Sequence, residues 1–157
     1  DFAMLNDKPC RIVETSVSKT GKHGHAKKKF TGVHVFTKAK VEDSQSTSHG
    51  MRKFDLQKVT YTVVSLDGDA LSLQRDGETF DHLSLPEGDL GQKVRAMYDV
   101  WEGGLRGSEA HAALSKFEGV SDFDCDADLL VDVHSGPAGD GQTATHEQVM
   151  AVTFKRQ

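Results

Sequence analysis

Between Ser18 and Lys27 the chain reads Ser-Lys-Thr-Gly-Lys-His-Gly-His-Ala-Lys, which sets one lysine, Lys22, between Gly21 and Gly24. Both glycines can adopt positive φ and turn the chain tightly. Lys22 and His23 are therefore expected at the tip of a hairpin whose arms are residues 10–18 and 25–36. From Thr15 to Val41 there are seven lysines and no Asp or Glu, so internal ion pairs cannot neutralise the segment. Ammonium groups on a stiff arm form charge-assisted hydrogen bonds to phosphates and similar anions. The tip reads as a probe for something polyanionic, with Lys19, Thr20, Gly21, His23, Gly24, His25 and Lys27 around it.

Other chemistries fit the residues poorly. A phosphate-binding P-loop needs a glycine five residues ahead of its Gly-Lys pair and a Ser or Thr after it, whereas Gly21-Lys22 is followed by His23 and has no such glycine. His23 and His25 lack a neighbouring carboxylate or thiolate to complete a metal shell. Asp122, Asp124, Asp126 and Asp128 alternate like calcium ligands but lack the glycine and glutamate of the calcium loop. Cys10 and Cys125 show no CxxC or metal spacing and read as free thiols packed as small apolar groups. No site for a catalytic group or a metal is expected, and the chain is not read as an enzyme.

At 157 residues, 36% of them hydrophobic, the chain is long enough for one medium or two small domains. No apolar run approaches a bilayer span and no signal-peptide pattern is present, so a cytoplasmic protein without membrane contact is expected. The net charge of −5 conceals a division. Residues 1–65 hold 12 Lys and Arg against 6 Asp and Glu, a net of +6, and residues 66–157 hold 7 against 18, a net of −11. The first half suits phosphates; the second would be repelled by them, or is a solubilising surface.

Strands should position the lysine tip. Residues 2–5 form a short apolar run, Asn6-Asp7-Lys8-Pro9 a turn, and residues 10–17 a β-branched strand. Phe30, Val33, Val35 and Phe36 mark the returning strand, and polar residues 42–50 read as a loop. Beyond Lys58 a meander is expected, with strands at 59–66, 70–74 and 79–83 separated by turns at Asp67-Gly68-Asp69 and Asp76-Gly77. Leu90, Val94, Met97 and Trp101 recur at helical spacing, predicting a helix from 88 to about 100; residues 127–134 and 148–154 return to strand. The fold class is mainly β: a small barrel over 1–58, then over 59–157 a five-stranded oligonucleotide-binding (OB) barrel with its interposed helix.

The string Lys8-Pro9-Cys10-Arg11-Ile12-Val13-Glu14, running into the Ser18 to Lys27 loop, resembles the eukaryotic translation initiation factor 5A family, relatives of bacterial elongation factor P. Further matches follow in order at Phe36-Thr37, Glu42-Asp43, Ser48-His49-Gly50-Met51, 83–91 and Tyr98-Asp99, and again from Cys125-Asp126 to Ser135. The resemblance implies an SH3-like first barrel and conversion of Lys22 to hypusine. Deoxyhypusine synthase would transfer an aminobutyl group from spermidine and deoxyhypusine hydroxylase would complete the change, with no cofactor held by the chain itself. It also implies binding to the large ribosomal subunit beside the acceptor end of the peptidyl-site tRNA, favouring peptide-bond formation at proline-rich stretches and assisting termination. A paralogue that keeps the fold as an unmodified RNA-binding or interaction module is the alternative reading.

The chain departs from that family in three respects. The flexible N-terminal extension is missing from this sequence, so the first barrel is expected to be incomplete at its edge. Residues 100–124 look like an insertion, with a short helix expected around Ala110, Ala112, Ala113, Leu114 and Phe117. Lys28-Lys29 make the returning arm more basic than is usual in the family.

Overall fold

A computed structural model describes residues 1–19, 26–46, 51–120 and 127–155. Two compact units divide it: residues 1–57 together with 135–146, and residues 58–134 together with 147–157.

In the first unit, four strands run in sequence order across one antiparallel sheet: β1 (Phe2–Leu5), β2 (Lys8–Lys19), β3 (Ala26–His34) and β4 (Lys40–Ser46). Asn6 and Asp7 both have positive φ, at 48° and 59°, the requirement of the two-residue turn that matches strand twist. That turn leaves Leu5 opposite Lys8. Ala3, Leu5, Pro9 and Cys10 are fully or almost fully buried, and β3 packs onto them through Gly32, where a Cβ would stand 2.8 Å from Leu5 Cδ1. Any larger residue there would displace the sheet from its own core. The far edge of β1 is held by the 52–54 segment, through Met4 N–H to the Arg52 carbonyl at 2.9 Å and Phe54 N–H to the Phe2 carbonyl at 3.3 Å.

Two sequence expectations need correction here. Residues 42–46 are strand rather than loop, because β4 pairs with β3 along its length from Lys40 to Ser46. Its polarity disguised it: Glu42 lies 3.5 Å from Lys40 of its own strand and 3.7 Å from Lys29 of β3, and the Glu42–Lys29 pair across the ladder stands where apolar pairs stand elsewhere. Val35 and Phe36 are buried, but in a turn beyond the end of β3. Residues 47–50 lie outside the described residues.

The second unit is built on a five-stranded sheet in the order β7-β6-β5-β8-β9, formed by β5 (Gln57–Asp67), β6 (Ala70–Arg75), β7 (Glu78–Ser84), β8 (Asp128–Gly139) and β9 (Gln142–Lys155). β7 and β9 end that order, yet His82 Nε2 reaches Glu147 Oε2 at 3.2 Å, so the sheet curls toward closure as an OB barrel does. Between β7 and β8 run α1 (Asp89–Gly103) and α2 (Gly107–Leu114). Val94, Met97, Tyr98 and Val100 of α1, with Ala110 and Leu114 of α2, join Val63, Leu71, Leu73, Leu129, Val131 and Val149 in one core. The short helix expected in the inserted segment is α2, and its return is pinned by Trp101 Nε1–H to the Ala127 carbonyl at 3.0 Å.

β8 and β9 run beyond the strand stretches expected from sequence, and their connecting tip, residues 135–146, packs within the first unit. Asp140 and Gly141 have φ of 52° and 80° and make a second turn of the same kind as Asn6-Asp7. Asp140 N–H donates to the Asp7 carbonyl at 2.6 Å, Gly141 N–H donates to Asp7 Oδ2, and Lys8 Nζ stands 3.6 Å from Asp140 Oδ1. Asp7 Oδ1 also takes the Arg52 guanidinium at 2.7 Å. Removing the Asp7 carboxylate takes the acceptor from Gly141 N–H and from the Arg52 guanidinium, while Asp140 N–H keeps the Asp7 carbonyl, and Asp7→Ala is expected to lower unfolding free energy by about 1–3 kcal/mol. Gly139→Ala should cost more than Gly141→Ala, because a Cβ at 139 would stand 2.5 Å from the Asp7 carbonyl oxygen while one at 141 meets nothing within 4 Å. Urea titration checks the ranking, and a larger loss for Gly141→Ala would contradict it.

Candidate nucleic-acid interface

β2 and β3 form the hairpin arm. A strand of 12 residues such as β2 extends about 40 Å, and its register with β3 continues from Cys10 opposite His34 to Lys19 opposite Ala26. Thr20, Gly21, Lys22, His23, Gly24 and His25, the six residues that join the two strands, lie outside the described residues. Of the other expected site residues, Lys19 ends β2 and Lys27 is exposed near the start of β3.

A register shift between Ile12 and Glu14 marks a β-bulge at Val13, and it decides which side chains share a face. Before the bulge, Cys10 and Ile12 stand opposite His34 and Gly32; beyond it, Thr15 and Val17 stand opposite Phe30 and Lys28. One inserted residue reverses the alternation. The inner face thus carries Phe30, Lys28 and Gln45 around a hollow of about 600 Å³, with Lys28 Nζ 5.6 Å from the Phe30 ring centroid, a cation–π distance. The outer face carries Glu14, Ser16, Lys27, Lys29, Thr31, Glu42 and Ser44. Lys28 and Lys29, adjacent in sequence, face opposite ways.

The base of the arm is closed by a histidine. His34 Nδ1 accepts the N–H groups of Phe36 and Thr37 at 3.1 and 3.2 Å, which satisfies the turn between β3 and β4 and places the ring proton on Nε2. Phe36 in turn meets the His146 ring edge-on, with centroids 4.6 Å apart. Burial pushes the His34 pKa below its ordinary value, the Lys8 and His146 charges push it further down, and Asp140 opposes them. Burial likewise raises the Cys10 thiol pKa, so Cys10 packs as an inert, protonated group; Cys125 lies outside the described residues. Sequence reasoning recognised the Asn6-Asp7 turn but neither its partner at Asp140-Gly141 nor the capping role of His34. Both depend on residues far away in the chain.

Among the described residues, no group of three or more His, Cys, Asp or Glu side chains could hold a metal ion, and no helix is long and apolar enough to cross a membrane.

Taken together, the sheet with its long basic arm and the OB-like sheet define a protein of two mainly β units. Residues 1–49 match the family described as translation initiation factor 5A-like, N-terminal, and residues 56–103 match the family described as eukaryotic elongation factor 5A hypusine, DNA-binding OB fold. Eukaryotic translation initiation factor 5A-1 of Saccharomyces cerevisiae is 38% identical over 99 residues, covering 62% of this chain and 63% of that protein; the chain thus spans under two thirds of that relative's length. A solved translation initiation factor 5A family protein from Naegleria fowleri superposes with a TM-score of 0.66 at 30% identity, covering 96% of this chain and 88% of that one. The factor 5A structure from Methanococcus jannaschii, at 24% identity and a TM-score of 0.50 over 97% and 85% of the two chains, shares the fold. The chain belongs to the eukaryotic translation initiation factor 5A family.

The His34 cap makes acid stability testable. Because its folded pKa is lowered, the cap's contribution is complete above the unfolded value near 6.5 and is lost as pH falls through the folded value. Thermal unfolding should show a stability loss between pH 7.5 and 5.5 that His34→Asn, which can accept the same N–H groups without titrating, reduces. An unchanged pH dependence in that variant would exclude His34 as its source.

Proposed function

We propose that this chain is a hypusine-bearing translation factor whose arm carries Lys22 to the acceptor end of the peptidyl-site tRNA on the large ribosomal subunit. The observation that carries this reading is the glycine-framed lysine, Gly21-Lys22-His23-Gly24, in the junction of a long two-strand arm, in a chain of the factor 5A family. Deoxyhypusine synthase, in an NAD-dependent reaction, moves the aminobutyl group of spermidine to the Lys22 Nζ and releases 1,3-diaminopropane, and the iron-dependent deoxyhypusine hydroxylase then adds the hydroxyl with dioxygen as oxidant. The longer side chain gains a second amine and a further donor, so it forms several charge-assisted hydrogen bonds to RNA from a point beyond the backbone's reach.

The work such a group does is positional. Holding the acceptor end of a poorly oriented peptidyl-tRNA converts a loose encounter into an aligned one, an entropic contribution to rate that needs a rigid arm and no acid or base of tuned pKa. Proline-rich stretches, where alignment is worst, gain most, and the same placement assists termination. Lys19, His23, His25 and Lys27 flank the probe and hold RNA phosphates, with Thr20, Gly21 and Gly24 shaping the loop. The factor acts in the cytoplasm, as substrate of its modifying enzymes rather than as a catalyst.

The intact and peptide mass of protein purified from its own cells should show a hypusine-sized increase on the Lys22 peptide. Lys22→Arg, which keeps the charge but removes the acceptor amine, should lack that increase and fail to speed synthesis through consecutive prolines. Plain lysine at 22, in cells that modify other copies of the factor, would overturn this reading in favour of an unmodified RNA-binding paralogue.

A further inference from the structure

The second unit contains a hollow of about 510 Å³ between the first turns of α1 and the residues that follow α2. Asp89, Leu90 and Lys93 line one side, and Lys116, Phe117 and Glu118 the other. Small-molecule sites are commonly of this size, roughly 300–1,000 Å³. Leu90 and Phe117 are half-buried and pack against the core, and Phe117 N–H donates to the Leu114 carbonyl at 3.0 Å, so the apolar floor is anchored from both sides. The wall at 116–118 lies beyond residues 56–103, the stretch that matches the family.

The charges around this floor are unusual in how they are held. Two ammonium and two carboxylate groups line the hollow, yet none of the four has an ion-pair partner among the described residues. Asp89 and Lys93 stand four residues apart on α1, the spacing at which such a pair forms readily. Lys93 instead sets its Nζ against Gly119, 3.7 Å from where a Cβ would stand, and Lys116 Nζ lies 5.2 Å from the Phe117 ring centroid. The helix terminus itself offers little: Gln92 N–H already donates to the Gly88 carbonyl at 3.2 Å, and the Pro86 carbonyl occupies the space that a Gly91 Cβ would need.

Such a lining selects against ions of one sign. A phosphate would meet Asp89 and Glu118, a polyamine would meet Lys93 and Lys116, and like charges crowded together in a partly enclosed site are unfavourable. A molecule that carries both signs satisfies both pairs through charge-assisted hydrogen bonds, and its apolar remainder covers Leu90 and Phe117. We propose that this hollow binds a zwitterionic α-amino acid with a large apolar side chain. Lys93 and Lys116 take its carboxylate, Asp89 and Glu118 take its ammonium group, and Leu90 with Phe117 takes the side chain. The site goes beyond the hypusine reading and rests on no part of it.

The test is a titration of the isotope-labelled full chain with L-phenylalanine, followed by its backbone amide resonances. Shifts should concentrate at residues 89–93 and 116–119 and should saturate. Glycine, which lacks the apolar part, should bind about ten-fold more weakly or worse. N-acetylphenylalanine, without the ammonium group, and phenylalanine amide, without the carboxylate, should each lose about five-fold. Lys93→Gln and Glu118→Gln should each lose a similar factor, with resonances away from the hollow unchanged as the sign that both variants are folded. The dipeptide phenylalanyl-leucine, whose charges are farther apart, separates free amino acids from peptide ends; tighter binding of the dipeptide would overturn the amino acid as the ligand. The site is also overturned if the shifts fall elsewhere or do not saturate, if the derivatives with one charge bind as tightly as phenylalanine, or if both variants bind like the parent chain.

Discussion

The Asn6-Asp7 turn is the contact on which the first unit depends. Its two left-handed residues reverse the chain so that β2 begins in register with β1, and its polar groups then hold three other segments. Asn6 N–H reaches Asp43 Oδ2 at 3.0 Å and its side-chain amide donates to the Glu42 carbonyl, tying β4 to the base of the arm. Asp7 holds Arg52 with one carboxylate oxygen and Gly141 N–H with the other, and its carbonyl accepts Asp140 N–H. Hydrogen bonds to a carboxylate are stronger than neutral ones. One short turn thereby fixes where the 40 Å arm starts.

Everything further along the arm follows from that fixed origin. The inner face is anchored by Leu5, Cys10 and Gly32, the far end of β3 by His34 on its turn, and the bulge at Val13 brings Glu14 and Ser16 to the face that carries Lys29. A probe that acts by placement needs little chemistry of its own; it needs an origin that does not move and a lever that does not bend. The residues that meet this need carry no unusual reactivity, which is why they stand out only once their partners are seen. The acidic second unit, with its closed apolar core, leaves most of the chain's positive charge to the first unit.

How far the sequence discloses this varies with the distance over which each feature is determined. The two hairpin strands, the meander at 59–83 and the helix carrying Leu90, Val94, Met97 and Trp101 are local patterns, and each is found near its expected place; the glycine pair around Lys22 lies outside the described residues. β4 was hidden because Glu42, Asp43 and Ser44 gain strand character only from pairing with Thr31, Phe30 and Lys29 of β3. The tip at Asp140-Gly141 was hidden because its partner, Asp7, lies 134 residues away in the chain. The bulge left no trace at all: simple alternation puts Ser16 on the same face as Ile12, and only the register shows otherwise.

A photo-reactive benzoylphenylalanine in place of His23, beside the modified Lys22, tests the central claim on ribosomes stalled at consecutive prolines. Irradiation should join the factor to the terminal nucleotides of the peptidyl-site tRNA or to the large-subunit RNA around them. Cross-links confined to ribosomal protein or to the small subunit, on ribosomes to which the factor is bound, would contradict the account.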